Sequence, residues 1–167
     1  RVDFIPSGFG TRLKYKFTDK VVSISNAISL ILEKSGMQAD SPIISSAVKS
    51  KDLDVERALA LKKSLHMQGG VKIIGLVSAL ERHKDPITAL KTIHELQKTR
   101  QDFAVLHFGD GVLFDQISDM IKELDLAQFY FQMGHQENVE DYFSIMDVFL
   151  MTSKEEGLGS SVLDAFN

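Results

Sequence analysis

The chain of 167 residues has no cysteine. Disulfides and thiolate metal sites are therefore excluded, and nothing asks for an oxidising compartment. No apolar run approaches the roughly 20 residues that span a bilayer, and no signal peptide is visible. The five histidines, His66, His83, His94, His107 and His135, lack metal-ligand spacing. A nucleophile elbow and a Ser/His/Asp order are also missing. Basic residues are not in excess: the formal net charge is −4, which argues against a dedicated nucleic-acid binder. There is no initiator methionine, and the last helical pattern has only begun when the chain reaches Asn167. We expect a piece of a longer protein, holding one domain or parts of two.

What is present is an alternation of apolar strands and amphipathic helices. Residues 1–20 are basic and glycine-bearing: Arg1, Arg12, Lys14, Lys16 and Lys20 face only Asp3 and Asp19. We read them as a solvated loop; the sharper alternative is a surface for anionic lipid or a phosphorylated acceptor. Ser7-Gly-Phe-Gly10 reads as turn chemistry whose glycines do not precede a helix in phosphate-loop fashion. Val21–Ser25 predicts a strand, Asn26 caps a helix ended by Gly36, and Ile43-Ile44 starts another strand. Residues 47–54 read as a linker. Residues 1–50 thus look like the end of one domain.

From Val55 a helix is predicted to about Met67, stopped by Gly69-Gly70. Strands follow at 71–77, 103–108, 129–132 and 148–151, the last buried. Helices lie between them, after Asp85-Pro86 (an N-cap and N1 pair), after Gly109-Asp-Gly111 and around 139–145. Strands apolar on both faces and alternating with helices predict a Rossmann-like, doubly wound parallel sheet in an α/β domain over 51–167. Right-handed crossovers give the spatial order third, second, first, fourth strand. The chain reverses direction between the first and fourth strands, and a ligand crevice is expected at their carboxyl ends. The loop with Glu81-Arg-His-Lys84 and the loop from Lys154 to Gly159 should face each other across it.

Candidate chemistry concentrates there. Thr152 to Phe166 follows an apolar strand, carries Gly157 and Gly159, and runs into a helix start, so free amides and the positive helix end converge. Glu156 and Asp164 lie eight positions apart across this turn, placed for the two ends of a ligand that is part phosphate and part polyol. Lys84, at the crevice, would neutralise a diphosphate, and Arg82 is a second candidate. One of Glu155 and Glu156 should face solvent. Gly109-x-Gly111 fails the dinucleotide fingerprint because Phe114 occupies the third glycine position. His107, inside an apolar strand, reads as a satisfied core histidine, whereas His83 and His135 follow strand ends and could meet a ligand.

Glu156-Gly-Leu-Gly-Ser-Ser-Val-Leu-Asp164-Ala resembles the glutamate-seven-glutamate motif of retaining GT-B glycosyltransferases of family 4, the group 1 transferases. Their pattern is Ser-x-x-Glu-Gly-Phe-Gly followed by Leu-Glu-Ala, and Ser153 occupies its serine. Val77-Ser-Ala-Leu-x-x-x-Lys84 is similar to their Val-Gly-Arg-Leu-x-x-x-Lys. Phe108-Gly-Asp-Gly111 resembles Val-Gly-Asp-Gly, and Met133-Gly-His135 with Tyr142, Asp147 and Val148 fits the middle of the pattern. Asp19 to Gly36 looks like the end of the family's N-terminal domain, so the resemblance covers nearly the whole chain.

The resemblance implies a nucleotide-diphosphate-sugar donor, a glycan or lipid-linked acceptor, retention of configuration, and no cofactor or metal. Residues 1–50 would then be the end of the acceptor domain with its linker, and 51–167 a donor domain truncated at its C-terminus. A cytoplasmic enzyme with peripheral contact at the inner membrane face, acting in polysaccharide or lipopolysaccharide biosynthesis, is the matching expectation. Position by position, Glu156 would orient the donor sugar, Lys84 would bind the diphosphate, and Asp164 would hold the ribose hydroxyls. The amides of Gly157, Leu158, Gly159, Ser160 and Ser161 would contact sugar and phosphate. Two departures stand out: Asp164 replaces glutamate, and Ala79 replaces the arginine that partners the lysine, which leaves Arg82 as a possible substitute. The alternatives are a sugar-nucleotide epimerase of similar fold and a flavodoxin-like regulatory domain; Val77-Ser-Ala79, with no acidic phosphoacceptor at that strand end, disfavours the latter.

Overall fold

Four short apolar segments pair into one parallel sheet in the computed structural model: β1 (Lys72–Val77), β2 (Phe103–Phe108), β3 (Tyr130–Gly134) and β4 (Val148–Phe149). Their order is β3-β2-β1-β4, as chirality demands of crossovers of this kind. The structure describes residues 8–35, 42–45, 47, 52–67 and 69–166, with the Arg12 side chain excepted. Arg1, Asp3, Ser7, Gly36 and half of the expected linker, residues 48–51, lie outside that set. Chain contacts divide the protein into two units, Arg1–Lys49 with Glu155–Ser160 and Ser50–Lys154 with Ser161–Asn167.

The sheet belongs to the larger unit. Alternate residues of its strands face opposite ways, and each face has its own core. Ile74, Leu76 and Val105 pack beneath α4 (Pro86–Gln97) and α5 (Phe114–Glu123), around Leu90, Ile93 and Ile117. Ile73, Ala104, Leu106 and Phe108 pack on the other face against Ala58 of α3 (Val55–Ser64) and Tyr142 and Ile145 of a 3-10 helix (Val139–Ile145). Asp141 ties that layer together. Its buried carboxylate accepts from the Asp54 amide at 3.0 Å and from Arg57 at 3.3 Å, and the Arg57 guanidinium lies over the Tyr142 ring. Gly75 leaves room for Met146, whose sulfur a Cβ there would meet.

Several expectations need correction. Helix α3 stops at Ser64, not Met67: Leu65 closes it and His66 turns to φ 54°. Among the described residues strand β4 pairs with β1 alone, over two residues, and Val148 is exposed where a buried strand is expected. β3 starts one residue late and continues past Gln132 to Gly134 across an irregularity.

In the smaller unit, residues 9–16 form helix α1 (Phe9–Lys16), not a loop, and Gly8 is its N-cap residue with extended backbone. Glycine is tolerated at an N-cap, and Leu13 and Tyr15 favour continuation, so a helix forms where a solvated loop is expected. Lys14, Lys16 and Lys20 are exposed. α2 (Asn26–Lys34) is capped by Ser25, whose Oγ accepts the Ile28 amide at 3.3 Å; Asn26 is its first residue, not its cap. The two predicted N-terminal strands reduce to one parallel bridge, Ser23 to Ile43. With so few paired backbone groups among the described residues, neither segment builds a ladder.

Candidate functional site

The loops after β1 and β4 are tied together. Val77 ends β1, and the chain turns through Ser78–Glu81 into a 3-10 helix, Arg82–Lys84. Asp85 then takes the left-handed conformation, φ 49°, and caps α4 with its carboxylate, which accepts the Thr88 amide at 3.4 Å and the Thr88 hydroxyl at 2.8 Å. After β4 the Thr152 hydroxyl reaches across to the Lys84 carbonyl at 3.2 Å and the Asp85 carbonyl at 3.0 Å. The Lys154 amide donates to the His83 carbonyl at 2.9 Å, and its ammonium pairs with Asp85 at 3.0 Å. Thr88 and then Lys154 hold the Asp85 carboxyl below the usual carboxylate range. The predicted meeting of the two loops is therefore observed as far as Lys154.

The turn after β2 packs against the β1 loop. Ser78 donates its amide to the Phe108 carbonyl at 3.0 Å, Leu80 donates to Asp110 at 3.0 Å, and Leu113 donates back to Leu80 at 3.0 Å. Above this seam opens a cleft of about 350 Å³ at the carboxyl ends of β1, β2 and β3. Val77, Phe108 and Val139 supply apolar wall, and Ser78, Asp110, His135 and Gln136 supply polar groups. Ala79 and His135 are both among its lining residues.

Arg82 is elsewhere. It lines a second cavity of about 310 Å³ with Asp85, Ile87, Leu113, Gln116 and Lys154, and the two cavities share no lining residue. His107 is the core histidine expected: buried, bonded to Tyr130 and Ser78, and pushed by burial down to about 4. Of the adjacent acids, Glu155 is exposed and Glu156 half-buried. Gly159 has φ 68° and precedes α6 (Ser160–Phe166), which carries Ser160, Ser161 and Asp164; Gly157 is buried. The Ser153 hydroxyl is buried and has no hydrogen-bond partner among the described residues. Among the described residues, no three His, Asp or Glu side chains are grouped to hold a metal. Sequence reasoning passed over Thr152 and Lys154 as junction residues; a threonine directly after an apolar strand end is the one signal that pointed there.

Comparison with known proteins decides the family. Residues 59–167 match the model of the glycosyl transferases group 1 family, more than half of the chain. The chain belongs to this family. Among curated relatives, N-acetyl-alpha-D-glucosaminyl L-malate synthase of Bacillus anthracis is 29% identical over 108 residues, which are 63% of this chain and 27% of that protein. Among solved structures, a glycosyltransferase from Rickettsia africae aligns with a TM-score of 0.78 at 20% identity, over 98% of this chain and 46% of that one. HepE of Anabaena, solved with UDP-glucose, gives 0.77 at 16% identity over 92% and 43%. TarM of S. aureus, solved with UDP and alpha-GlcNAc-glycerol among its ligands, gives 0.73 at 19% over 93% and 29%. The chain spans between about a quarter and a half of the length of these relatives. The group 1 transferase chain and these structures share the α/β fold with its parallel sheet.

Proposed function

We propose that this chain is the nucleotide-sugar-binding part of a family 4 retaining glycosyltransferase of GT-B type. It would act on a nucleotide-diphosphate-sugar and pass the sugar to a glycan or lipid-linked acceptor. The observation that carries this reading is the interlock of the β1 and β4 loops at the point where the sheet reverses direction, in a chain that matches the family. Open α/β sheets bind ligands in the crevice at such a switch point. Solved neighbours hold UDP or UDP-glucose, which supports the donor class. Residues 1–50 are then the end of the acceptor domain with its linker, and 51–167 the donor domain.

In this reading Lys84 binds the donor diphosphate, and Glu156 contacts and orients the sugar. Asp164 takes the ribose hydroxyls, and the amides of Gly157 to Ser161 meet sugar and phosphate. The orphaned Ser153 hydroxyl is in keeping with a ligand at this turn, because such a group costs about 1–3 kcal/mol unless paired. Arg82 lines a different cavity from Ala79, so it does not simply replace the missing arginine. In the reaction the bond from the anomeric carbon to the diphosphate oxygen breaks, and the oxygen keeps the electron pair. The acceptor oxygen bonds to that carbon on the same face, and its proton passes to the departing diphosphate. A fixed lysine and oriented amides stabilise the developing charge, so no cofactor is required of the protein. Peripheral contact with the inner membrane face is part of the proposal; exposed Lys14 and Lys16 beside exposed Phe9 and Phe17 on α1 suit it, and among the described residues no helix is long and apolar enough to cross a membrane.

The test is turnover of the intact protein with a panel of nucleotide-sugars and candidate acceptors. Acceptor-dependent release of nucleoside diphosphate, with a product of unchanged anomeric configuration by NMR, is expected. Isomerisation of the sugar without transfer would instead establish the epimerase.

A further inference from the structure

One polar side chain lies inside the buried strand β2, and its bonds run crosswise through the sheet. The Nδ1 of His107 is 2.7 Å from the hydroxyl of Tyr130 on β3. Its Nε2 is 3.2 Å from Ser78 Oγ and 3.3 Å from the Ser78 carbonyl, at the end of β1. A carbonyl can only accept, so the ring proton sits on Nε2, and Nδ1 is left to accept from Tyr130. The line of bonds therefore has one direction: Tyr130 hydroxyl to Nδ1, then Nε2–H to Ser78. Burial keeps the imidazole neutral at physiological pH, with a single proton, so the direction does not reverse.

The consequence falls on Ser78. Its oxygen receives the imidazole N–H, and its own proton points elsewhere. Among the described residues Ser78 Oγ has no other hydrogen-bond partner. Ser78 is half-buried and lines the 350 Å³ cleft at the carboxyl ends of the strands. It precedes Ala79, the position at which the family pattern has a cation. Resting on the donor reading above, we propose that Ser78 is a binding residue, whose hydroxyl donates to an oxygen of the nucleoside diphosphate part of the donor, and that His107 is the positioning residue that fixes this donor direction from inside the sheet.

Two measurements on the intact protein test it. Nitrogen-15 NMR of the imidazole should show a protonated Nε2 and a bare Nδ1 without any ligand; the opposite tautomer overturns the proposal whatever the enzyme's substrate. Binding of UDP, GDP, ADP and dTDP is then measured by calorimetry, and the tightest is carried to the variants. Ser78→Ala should weaken Kd about 3- to 10-fold, the usual worth of one hydrogen bond. His107→Gln should weaken it similarly, and adding it to Ser78→Ala should change nothing more, because it acts through the same hydroxyl. If His107→Gln does not fold, the tautomer measurement and Ser78→Ala decide the proposal without it. An unchanged Kd for Ser78→Ala, or a His107 effect that persists without the serine hydroxyl, overturns this proposal and leaves the transferase reading standing. Failure of the unmutated protein to bind any of the four nucleotides overturns both.

Discussion

Two turns of this chain have the same spelling, glycine-x-glycine after an apolar strand and before a helix, and they are built differently. At Gly109-Asp110-Gly111 both glycines have positive φ, 148° and 159°. A Cβ on Gly109 would collide with the Ser78 carbonyl oxygen, and one on Gly111 would lie 2.6 Å from that of Leu80. The Gly109 amide is already donated to Gly134 at 2.8 Å. These glycines let three loops press together, and the Gly111 amide is taken by the Asp110 carboxylate at 2.7 Å. At Gly157-Leu158-Gly159 only Gly159 has positive φ, 68°, and helix α6 starts at the next residue. Glycine spacing therefore says that a backbone comes close to something; the neighbours decide whether that is another loop or a ligand.

The first way to sharpen this contrast is to remove the chemistry assigned to the second turn and its partner loop. Glu156→Ala and Lys84→Ala should each lower kcat/KM of the intact enzyme about 1,000-fold, with Tm within a degree or two of the parent. Near-normal turnover in either variant would strip that residue of its role. The second way exchanges the consequences. Gly109→Ala should cost about 3–5 kcal/mol of stability in denaturant titration, combining a positive-φ penalty with a backbone collision. Gly159→Ala should cost about 1 kcal/mol in stability from its left-handed backbone, while turnover falls more than about tenfold. If Gly159→Ala unfolds the protein and Gly109→Ala does not, the division of labour is reversed.

Much of this was legible before any coordinates. The strand order followed from handedness and apolar alternation, because both are local consequences of backbone chirality. Asp85-Pro86 announced a helix start, and His107 in an apolar strand announced a satisfied core group. Legibility failed where tertiary partners decide. Val148 looks as apolar as Val105, yet among the described residues the strand of one is paired on one side and the strand of the other on both, and only the pairing partners tell them apart. The Thr152–Lys84 and Lys154–Asp85 links join residues nearly 70 positions apart by side-chain bonds that no periodicity encodes. α1 was missed because its glycines resemble a turn, although a glycine at an N-cap costs little.

A pH titration separates the buried end of the first turn from its surroundings. His107 titrates near 4 in the fold against about 6.5 unfolded. Below 6.5 the unfolded chain binds a proton that the folded chain refuses, so stability falls as pH drops from 6.5 to about 4 and is complete above 6.5. The loss from this group should approach about 3 kcal/mol. Denaturant midpoints of the parent and of His107→Gln, compared at pH 7 and pH 4.5, check it: the variant's curve should be flatter across that window.

The smallest effect concerns the junction that sets Lys84. Asp85 does two things, capping α4 and pairing with Lys154, and Asp85→Asn divides them. Asparagine tolerates the left-handed conformation at φ 49° and still offers an oxygen to the Thr88 amide, so the cap survives. The Oδ2 that accepts the Thr88 hydroxyl and pairs with Lys154 becomes an NH2, so that hydroxyl bond goes together with the ion pair, which is screened because the lysine's side chain is 67% exposed. We expect a loss of about 1 kcal/mol, of which only the ion-pair part vanishes at high salt. Because the Thr152 hydroxyl bonds to the Lys84 and Asp85 carbonyls independently of that charge, the loop junction should hold and turnover should stay within about twofold. A tenfold drop at unchanged stability would mean that the ion pair, not the threonine, sets the position of Lys84.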